Sequence, residues 1–119
     1  MDNKEFSKQL EKRTIEFAIR IIKLSINLPS SAEGRVIKNQ LTKSGTSVGA
    51  NYREANRARS KADFRNKIKI CESEASETVY WLEIINNLNW INSKELQFII
   101  KESSEIVAIF TSIGKKLQL

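Results

Sequence analysis

Five basic side chains lie within thirteen consecutive residues near the middle of this 119-residue chain. Guanidinium and ammonium groups bind phosphate oxygens through charge-assisted hydrogen bonds, and clusters of them are the electrostatic signature of nucleic-acid binding. No zinc finger, recognition-helix turn or RNA-recognition signature accompanies these residues, so we expect contacts to phosphates and nucleic-acid shape with little base readout. The predicted nucleic-acid-binding residues, called the basic cluster below, are Arg53, Arg57, Arg59, Lys61 and Arg65.

The basic excess of the chain is local. Lys and Arg number 20 against 14 Asp and Glu, which gives a net charge of +6. Residues 32–59 contain six basic and two acidic side chains, whereas residues 60–91 contain four and five. A polyanion would therefore meet one end of the molecule first. The alternative interpretation of such a charge run is an ordinary solvated face.

Side chains suited to catalysis or metal binding are scarce. The absence of histidine removes the usual neutral-pH general base, the Ser-His and Cys-His nucleophiles and the Glu-x-x-His metal ligands of helical bundles. Cys71 lies on an apolar stripe, where a small buried side chain is expected. We therefore expect neither an enzyme nor a cofactor. Four acidic residues lie among Lys and Arg at helical spacing, which is typical of a solvated face: Glu72, Glu74, Glu77 and Glu83.

One helical stretch carries serine, glycine and asparagine where a core helix would carry leucine. Buried hydroxyl and amide groups need partners, because an unsatisfied group costs about 1–3 kcal/mol. We expect a buried polar network between the second and third helices, in which two glutamates are the partners of two serines and an asparagine. This predicted polar seam consists of Ser44, Ser47, Asn51, Glu54 and Glu77.

Gly45 and Gly49 lie one turn apart in the same stretch. Each glycine costs about 1 kcal/mol in helix propensity, and close approach of a neighbouring helix would offset that cost. The neighbour is either another helix of the same chain or a helix of another subunit.

The spacing of apolar residues predicts four helices. The first runs from about Lys4 to Leu28, where Pro29 ends it. Ser30 and Glu33 have the spacing of a capping box that starts the second helix, which continues to about Ala58.

Two further caps follow the same logic. Ser60 and Asp63 are predicted to start a third helix that ends near Asn87 to Asn89, and Asn92 with Glu95 a fourth. Short connections favour antiparallel neighbours. The predicted fold is all-α, an up-down-up-down antiparallel four-helix bundle.

Length and composition indicate one domain over residues 1–119, large enough to bury a core without disulfides. A single cysteine excludes a disulfide framework and suits a reducing compartment. Since neither a targeting segment nor an apolar run of about 20 residues is visible, we expect a cytoplasmic protein without membrane contact.

Apolar residues exceed what one bundle core requires. The first predicted helix carries two neighbouring apolar stripes, and aromatic and aliphatic residues nearly encircle the end of the third around Trp81. Exposed Trp and Tyr commonly anchor interfaces, so we expect a homo-oligomer. The second stripe of the first helix comprises Ile15, Ala18, Ile19, Ile22 and Ile26.

A family resemblance rests on the second and third predicted helices. Its core is the run Ser44-x-x-Ser47-x-x-Ala50-Asn51-x-x-Glu54, to which Gln40-Leu41, Val48, Ser60, Asp63-Phe64, Ile70 and Glu77 add. The chain resembles the bacterial four-helix-bundle family encoded by intervening sequences inside 23S ribosomal RNA genes, also labelled S23 ribosomal protein. A related branch comprises the accessory variability determinants of diversity-generating retroelements, which associate with a reverse transcriptase and with nucleic acid.

The resemblance implies a homopentamer, in which five bundles form a barrel with a basic surface, and a role near RNA. It implies no active site. Two hypotheses therefore stand beside each other: an oligomer that binds nucleic acid, RNA being favoured, and a protein-interaction scaffold or accessory subunit, for example of a reverse transcriptase.

Overall fold

The computed structural model describes residues 2–117, and four helices account for most of them. Each helix packs against its neighbours in the chain, and α1 returns to α4, so the predicted up-down-up-down antiparallel four-helix bundle is confirmed. No β-strand occurs between residues 2 and 117. The bundle is elongated and measures 44 × 26 × 21 Å. Its elements are α1 (Asn3–Ser25), α2 (Ala32–Ala55), α3 (Lys61–Asn87) and α4 (Lys94–Lys116).

A serine caps the start of each of the last three helices. Ser60 Oγ accepts the Asp63 amide at 3.0 Å, which confirms that cap. The other two predicted caps are wrong by one residue, because Ser31 and not Ser30 starts α2, and Ser93 and not Asn92 starts α4. Ser31 has the extended backbone that a cap needs and accepts the amide of the residue three positions later.

The amide that Ser31 accepts belongs to Gly34, at 3.0 Å. A Cβ at this glycine would lie 1.9 Å from the carbonyl oxygen of Pro29, so the chain can fold back here only without a side chain. This close approach to the turn sets the register of the cap.

Two helices end earlier than predicted. Helix α1 stops at Ser25, and residues 26–28 form a turn in which the Leu28 amide donates to the Ser25 carbonyl at 3.1 Å. Pro29 disfavours helical backbone in the residue before it, and Leu28 is buried by this turn. Helix α2 stops at Ala55, and the Ala58 amide donates to the Ala55 carbonyl at 3.0 Å in the turn that follows.

The core runs the length of the bundle, with contributions from every helix. Tyr52 and Phe110 meet edge to face, with ring centroids 5.5 Å apart. Helix α1 buries its first apolar stripe, which includes Phe17 and Ile21, and leaves the second largely at the surface. The fully buried core residues include Phe17, Ile21, Leu41, Val48, Ile68, Leu82, Ile85, Leu96, Ile99, Ile106 and Phe110.

The two glycines of α2 pack against α1 of the same chain. A Cβ at Gly45 would lie 2.8 Å from Ile21 Cγ2, and one at Gly49 would lie 2.9 Å from Thr14 Oγ1. The intramolecular alternative is therefore correct for both glycines. Their helix-propensity cost is offset by close packing of α1 on α2.

Candidate functional site

The basic cluster surrounds the connection between α2 and α3. Arg53 lies in the last turn of α2, Arg57 and Arg59 in the connection, and Lys61 and Arg65 in the first turns of α3. All five side chains are exposed. The structure therefore brings the predicted nucleic-acid-binding residues together at one end of the bundle.

The backbone of this connection is held by local hydrogen bonds. The Arg57 amide donates to the Glu54 carbonyl at 3.0 Å, and the capping hydroxyl of Ser60 closes the connection at the start of α3. A short, hydrogen-bonded turn keeps the two central arginines on the surface with little loss of backbone entropy on binding.

Most residues of the basic cluster form no salt bridge within residues 2–117. Arg53 Nε lies 3.6 Å from Glu11 Oε1, in a surface pair of the kind that contributes about 0–1 kcal/mol. Among residues 2–117, no acidic oxygen lies within 4.0 Å of the charged nitrogens of the other four basic residues. These four cations are available to an external anion.

Cations from the chain ends join the cluster. The start of α1 lies beside the end of α2, since Asn56 Nδ2 donates to Glu11 Oε2 at 2.8 Å. The end of α4 lies there too, because Asn56, Asn3 and Lys116 line one cavity. Four lysines at this end were not predicted from the sequence, although the antiparallel order of the helices places the start of α1 and the end of α4 beside the α2–α3 connection. They are Lys4, Lys8, Lys115 and Lys116.

The two ends of the bundle differ in charge. Nine Lys and Arg stand against five Asp and Glu at the end formed by residues 2–11, 53–65 and 115–116. At the opposite end, formed by residues 20–36 and 83–95, the counts are four and three. The first of these is called the basic end below. It supplies most of the positive charge that a polyanion would meet.

A cavity of about 450 Å³ opens at the basic end. Its walls combine aromatic rings with amides and a lysine, and the ring of Tyr52 connects it to the core. The lining residues are Asn3, Phe6, Ser7, Tyr52, Asn56, Phe64, Ile113, Lys116 and Leu117.

Two smaller depressions adjoin this cavity. One is lined by Arg53, Arg57, Glu11 and Asn56, and the other by two lysines near the start of α1 together with Asn56. Asn56 thus forms a wall common to all three.

The polar seam is built differently from the prediction. Ser44 is fully buried, donates to the Leu41 carbonyl at 3.3 Å and accepts from Thr78 Oγ1 at 2.9 Å. Thr78, which sequence reasoning did not single out, is therefore the partner on α3. A threonine at a core position of α3 was the feature of the sequence that could have indicated this partner.

The remaining members of the seam lie outside this buried pair. Ser47 donates to the Lys43 carbonyl at 2.6 Å and Asn51 Nδ2 to the Ser47 carbonyl at 2.8 Å, so both bonds stay within α2. Glu54 and Glu77 do not partner them, contrary to the prediction. Glu54 lies 3.5 Å from Lys67 Nζ, and Glu77 accepts from Trp81 Nε1 at 3.2 Å, because both carboxylates remain at the surface.

Cys71 is buried, as predicted, beside the α2 backbone, with Sγ 3.5 Å from the Val48 carbonyl oxygen. Desolvation by burial raises the pKa of this thiol to about 12, against a smaller lowering effect of the backbone amide of Cys71 itself and of Lys67. Since the thiolate is the nucleophile, Cys71 is chemically inert at neutral pH.

The acidic residues form no metal centre in the described part of the chain: no group of three or more His, Cys, Asp or Glu side chains could hold an ion. Helices α1–α4 include none that is long and apolar enough to cross a membrane. The ion pair between Arg13 and Glu102, 2.7 Å long, is structural: it ties α1 to α4, and its hydrogen bond holds the pKa of the Arg13 guanidinium above the usual value.

Comparison with known proteins supports this architecture. A crystal structure of a protein with unknown function from the S23 ribosomal protein family of Bacteroides thetaiotaomicron is 41% identical in sequence, with a TM-score of 0.81. The similarity covers 88% of this chain and 97% of that chain. No curated protein matches the chain. Residues 7–112 match the family described as 23S rRNA-intervening sequence protein, and the chain therefore belongs to that family.

Proposed function

We propose that this protein is a non-enzymatic, oligomeric bundle of the cytoplasm that binds nucleic acid, with structured RNA as the favoured ligand. The observation that carries the proposal is the charge of the basic end, where nine basic residues face outward against five acidic ones. Within residues 2–117, the four cations at positions 57, 59, 61 and 65 have no acidic partner that would compete with phosphate.

Phosphate contacts supply the affinity in this proposal. Each neutralised phosphate releases a counterion, so binding weakens steeply as salt rises. RNA is favoured over DNA because the description of the family refers to intervening sequences of 23S rRNA.

Self-association would place several copies of the basic end on one assembly and so strengthen weak binding by each copy. The exposed isoleucine stripe of α1 includes Ile19, 48% exposed, and Ile26, 69% exposed. Helix α3 also exposes apolar side chains, among them Ile70, 40% exposed, and Tyr80, 56% exposed. Two different patches on one subunit suit a heterologous contact, which closes into a ring when the rotation permits.

A ring of this kind agrees with the homopentamer that the family resemblance implies. Five basic ends held on one assembly would act at effective concentrations in the millimolar range, so that weak single-site binding becomes useful.

The test is a titration of the purified protein against a fluorescent RNA hairpin at low and moderate salt, with the assembly mass measured on the same sample. Charge reversal by Arg57→Glu and Arg59→Glu should weaken binding by tenfold or more and lower the salt slope by about two. The matched control is Lys23→Glu with Lys94→Glu, the same charge change at the opposite end. Unchanged binding by the first variant, or no binding by the native protein at low salt, would refute the proposal.

A second candidate is an accessory subunit that docks an acidic protein, such as a reverse transcriptase. The exposed aromatic rings of Tyr80 and Phe98 favour it, since aromatic residues are enriched at the cores of protein interfaces. A protein partner that stays bound at high salt would support this candidate, because phosphate contacts weaken by orders of magnitude there. Capture of nucleic acid with no accompanying protein, at low as well as high salt, would contradict it.

A further inference from the structure

We propose that the cavity at the basic end receives one unpaired nucleobase of the bound RNA, so that the protein selects a bulged or looped-out nucleotide over a continuous duplex. This inference rests on the proposed nucleic-acid function and adds to it the structural class of RNA that is recognised.

The size and walls of the cavity suit a flat aromatic group. Its volume of about 450 Å³ lies within the range of about 300–1,000 Å³ typical of small-ligand sites. The rings of Phe6, Tyr52 and Phe64 line it; Tyr52 is only 2% exposed and Phe64 is half-buried, so Phe6, 41% exposed, is the ring on which a base can stack. Unstacked bases bind proteins by stacking on such rings.

Polar groups in the same cavity can bind the edge of a base. The amides of Asn3 and Asn56 offer both donors and acceptors. Asn56 uses Nδ2 for Glu11, which leaves its Oδ1 as an acceptor. A few polar groups among apolar walls are the usual means of orienting a ligand, and they disfavour a purely apolar occupant.

The phosphate on either side of an inserted base would meet cations. Asn56 separates the cavity from the depression lined by Arg53 and Arg57, and Lys116 lies on the cavity wall itself. A nucleotide has the same arrangement, with a flat base a few bonds from its phosphates. This juxtaposition across Asn56 favours a base attached to a phosphate backbone over a free apolar molecule.

The experiment compares two RNA duplexes of the same length and sequence, one fully paired and one with a single bulged adenosine. Stacking on one aromatic ring should make the native protein bind the bulged duplex about tenfold more tightly. Replacing the bulged base with 2-aminopurine should show quenched fluorescence on binding, because the base stacks in the cavity.

Phe6→Leu removes the exposed ring while keeping an apolar side chain. It should abolish the preference for the bulge and the quenching, and leave affinity for the paired duplex within about twofold. Phe98→Leu is the matched control, since Phe98 is a similarly exposed ring, at 48%, on α4 near the opposite end. This control should keep the full preference.

The results distinguish failure of the base site from failure of the proposed nucleic-acid binding. Equal affinity for both duplexes, or a preference that survives Phe6→Leu, would overturn the base site while leaving phosphate binding intact. Failure of both duplexes to bind at low salt would overturn the proposed function and the base site with it.

Discussion

Gly49 on α2 and Thr14 on α1 approach so closely that a Cβ added to the glycine would lie 2.9 Å from Thr14 Oγ1 and 3.0 Å from Thr14 Cβ. Thr14 cannot move away at low cost, because it is fully buried and its hydroxyl donates to the Leu10 carbonyl at 3.0 Å. This contact sets how closely α1 and α2 pack beside the basic end.

Replacement of Gly49 by alanine should therefore destabilise the bundle. Overpacking costs about 1–3 kcal/mol, and the gain of about 1 kcal/mol in helix propensity offsets only part of it. Gly114→Ala is the matched control, since no atom of residues 2–117 lies within 4 Å of a Cβ there and the propensity gain should stabilise α4. Urea denaturation of both variants measures the difference, and a Gly49→Ala protein as stable as Gly114→Ala would contradict the packing.

Two buried serines should respond in opposite directions to alanine. Ser103 is fully buried on α4, and its Oγ has no hydrogen-bond partner among the described residues, so Ser103→Ala should raise the free energy of unfolding by about 1 kcal/mol. Ser44→Ala removes the buried bond to Thr78, whose hydroxyl keeps the Glu74 carbonyl as an acceptor at 2.8 Å, and should lower it by about 0.5–1.5 kcal/mol. Thermal or urea unfolding gives both values, and destabilisation by Ser103→Ala would show that its hydroxyl is bonded after all.

Cys71 should resist alkylation in the folded protein. With its pKa raised to about 12, the thiolate fraction at pH 8 is about 10³-fold smaller than for an exposed cysteine of pKa about 8.5. Mass spectrometry after iodoacetamide treatment should show slow labelling in buffer and rapid labelling in urea. Cys71→Ala supplies the blank, because the chain has no other cysteine. Rapid labelling under native conditions would mean that the thiol is accessible.

Glu74 should make stability depend on pH. Desolvation and then the neighbouring Glu77 raise its pKa above 4.5, while Lys43 acts in the opposite direction. A carboxyl with a raised pKa binds more protons in the folded state, so its contribution is favourable below about pH 4.5 and is lost as pH rises through the folded pKa.

The corresponding variant is Glu74→Gln. Its free energy of unfolding relative to the native protein should be higher at pH 7 than at pH 4, as measured by urea titrations at both values. The effect should shrink in a Glu77→Gln background, where one cause of the shift is absent. A difference that does not change between the two pH values would rule out the raised pKa.

Features that depend on neighbours in the chain were predictable. The helical period of apolar residues predicted four helices, and the spacing of Ser60 and Asp63 predicted the cap of α3, because capping involves residues three positions apart. The burial of Cys71 followed from its place on an apolar stripe. The caps at Ser31 and Ser93 were missed by one residue, since several adjacent polar residues could serve, and in α2 the contact of Gly34 with Pro29 decided between them.

Features that depend on residues far apart in the chain could be read only from the packed helices. Local patterns in the sequence were enough to predict an all-helical chain with a basic stretch near residue 57. The packing of the helices places Thr78 beside Ser44 and leaves the stripe containing Ile19 at the surface. It also brings Lys116 beside Asn56. Helix formation follows from local periodicity and capping, whereas these contacts join segments tens of residues apart and exist only once α1–α4 have packed.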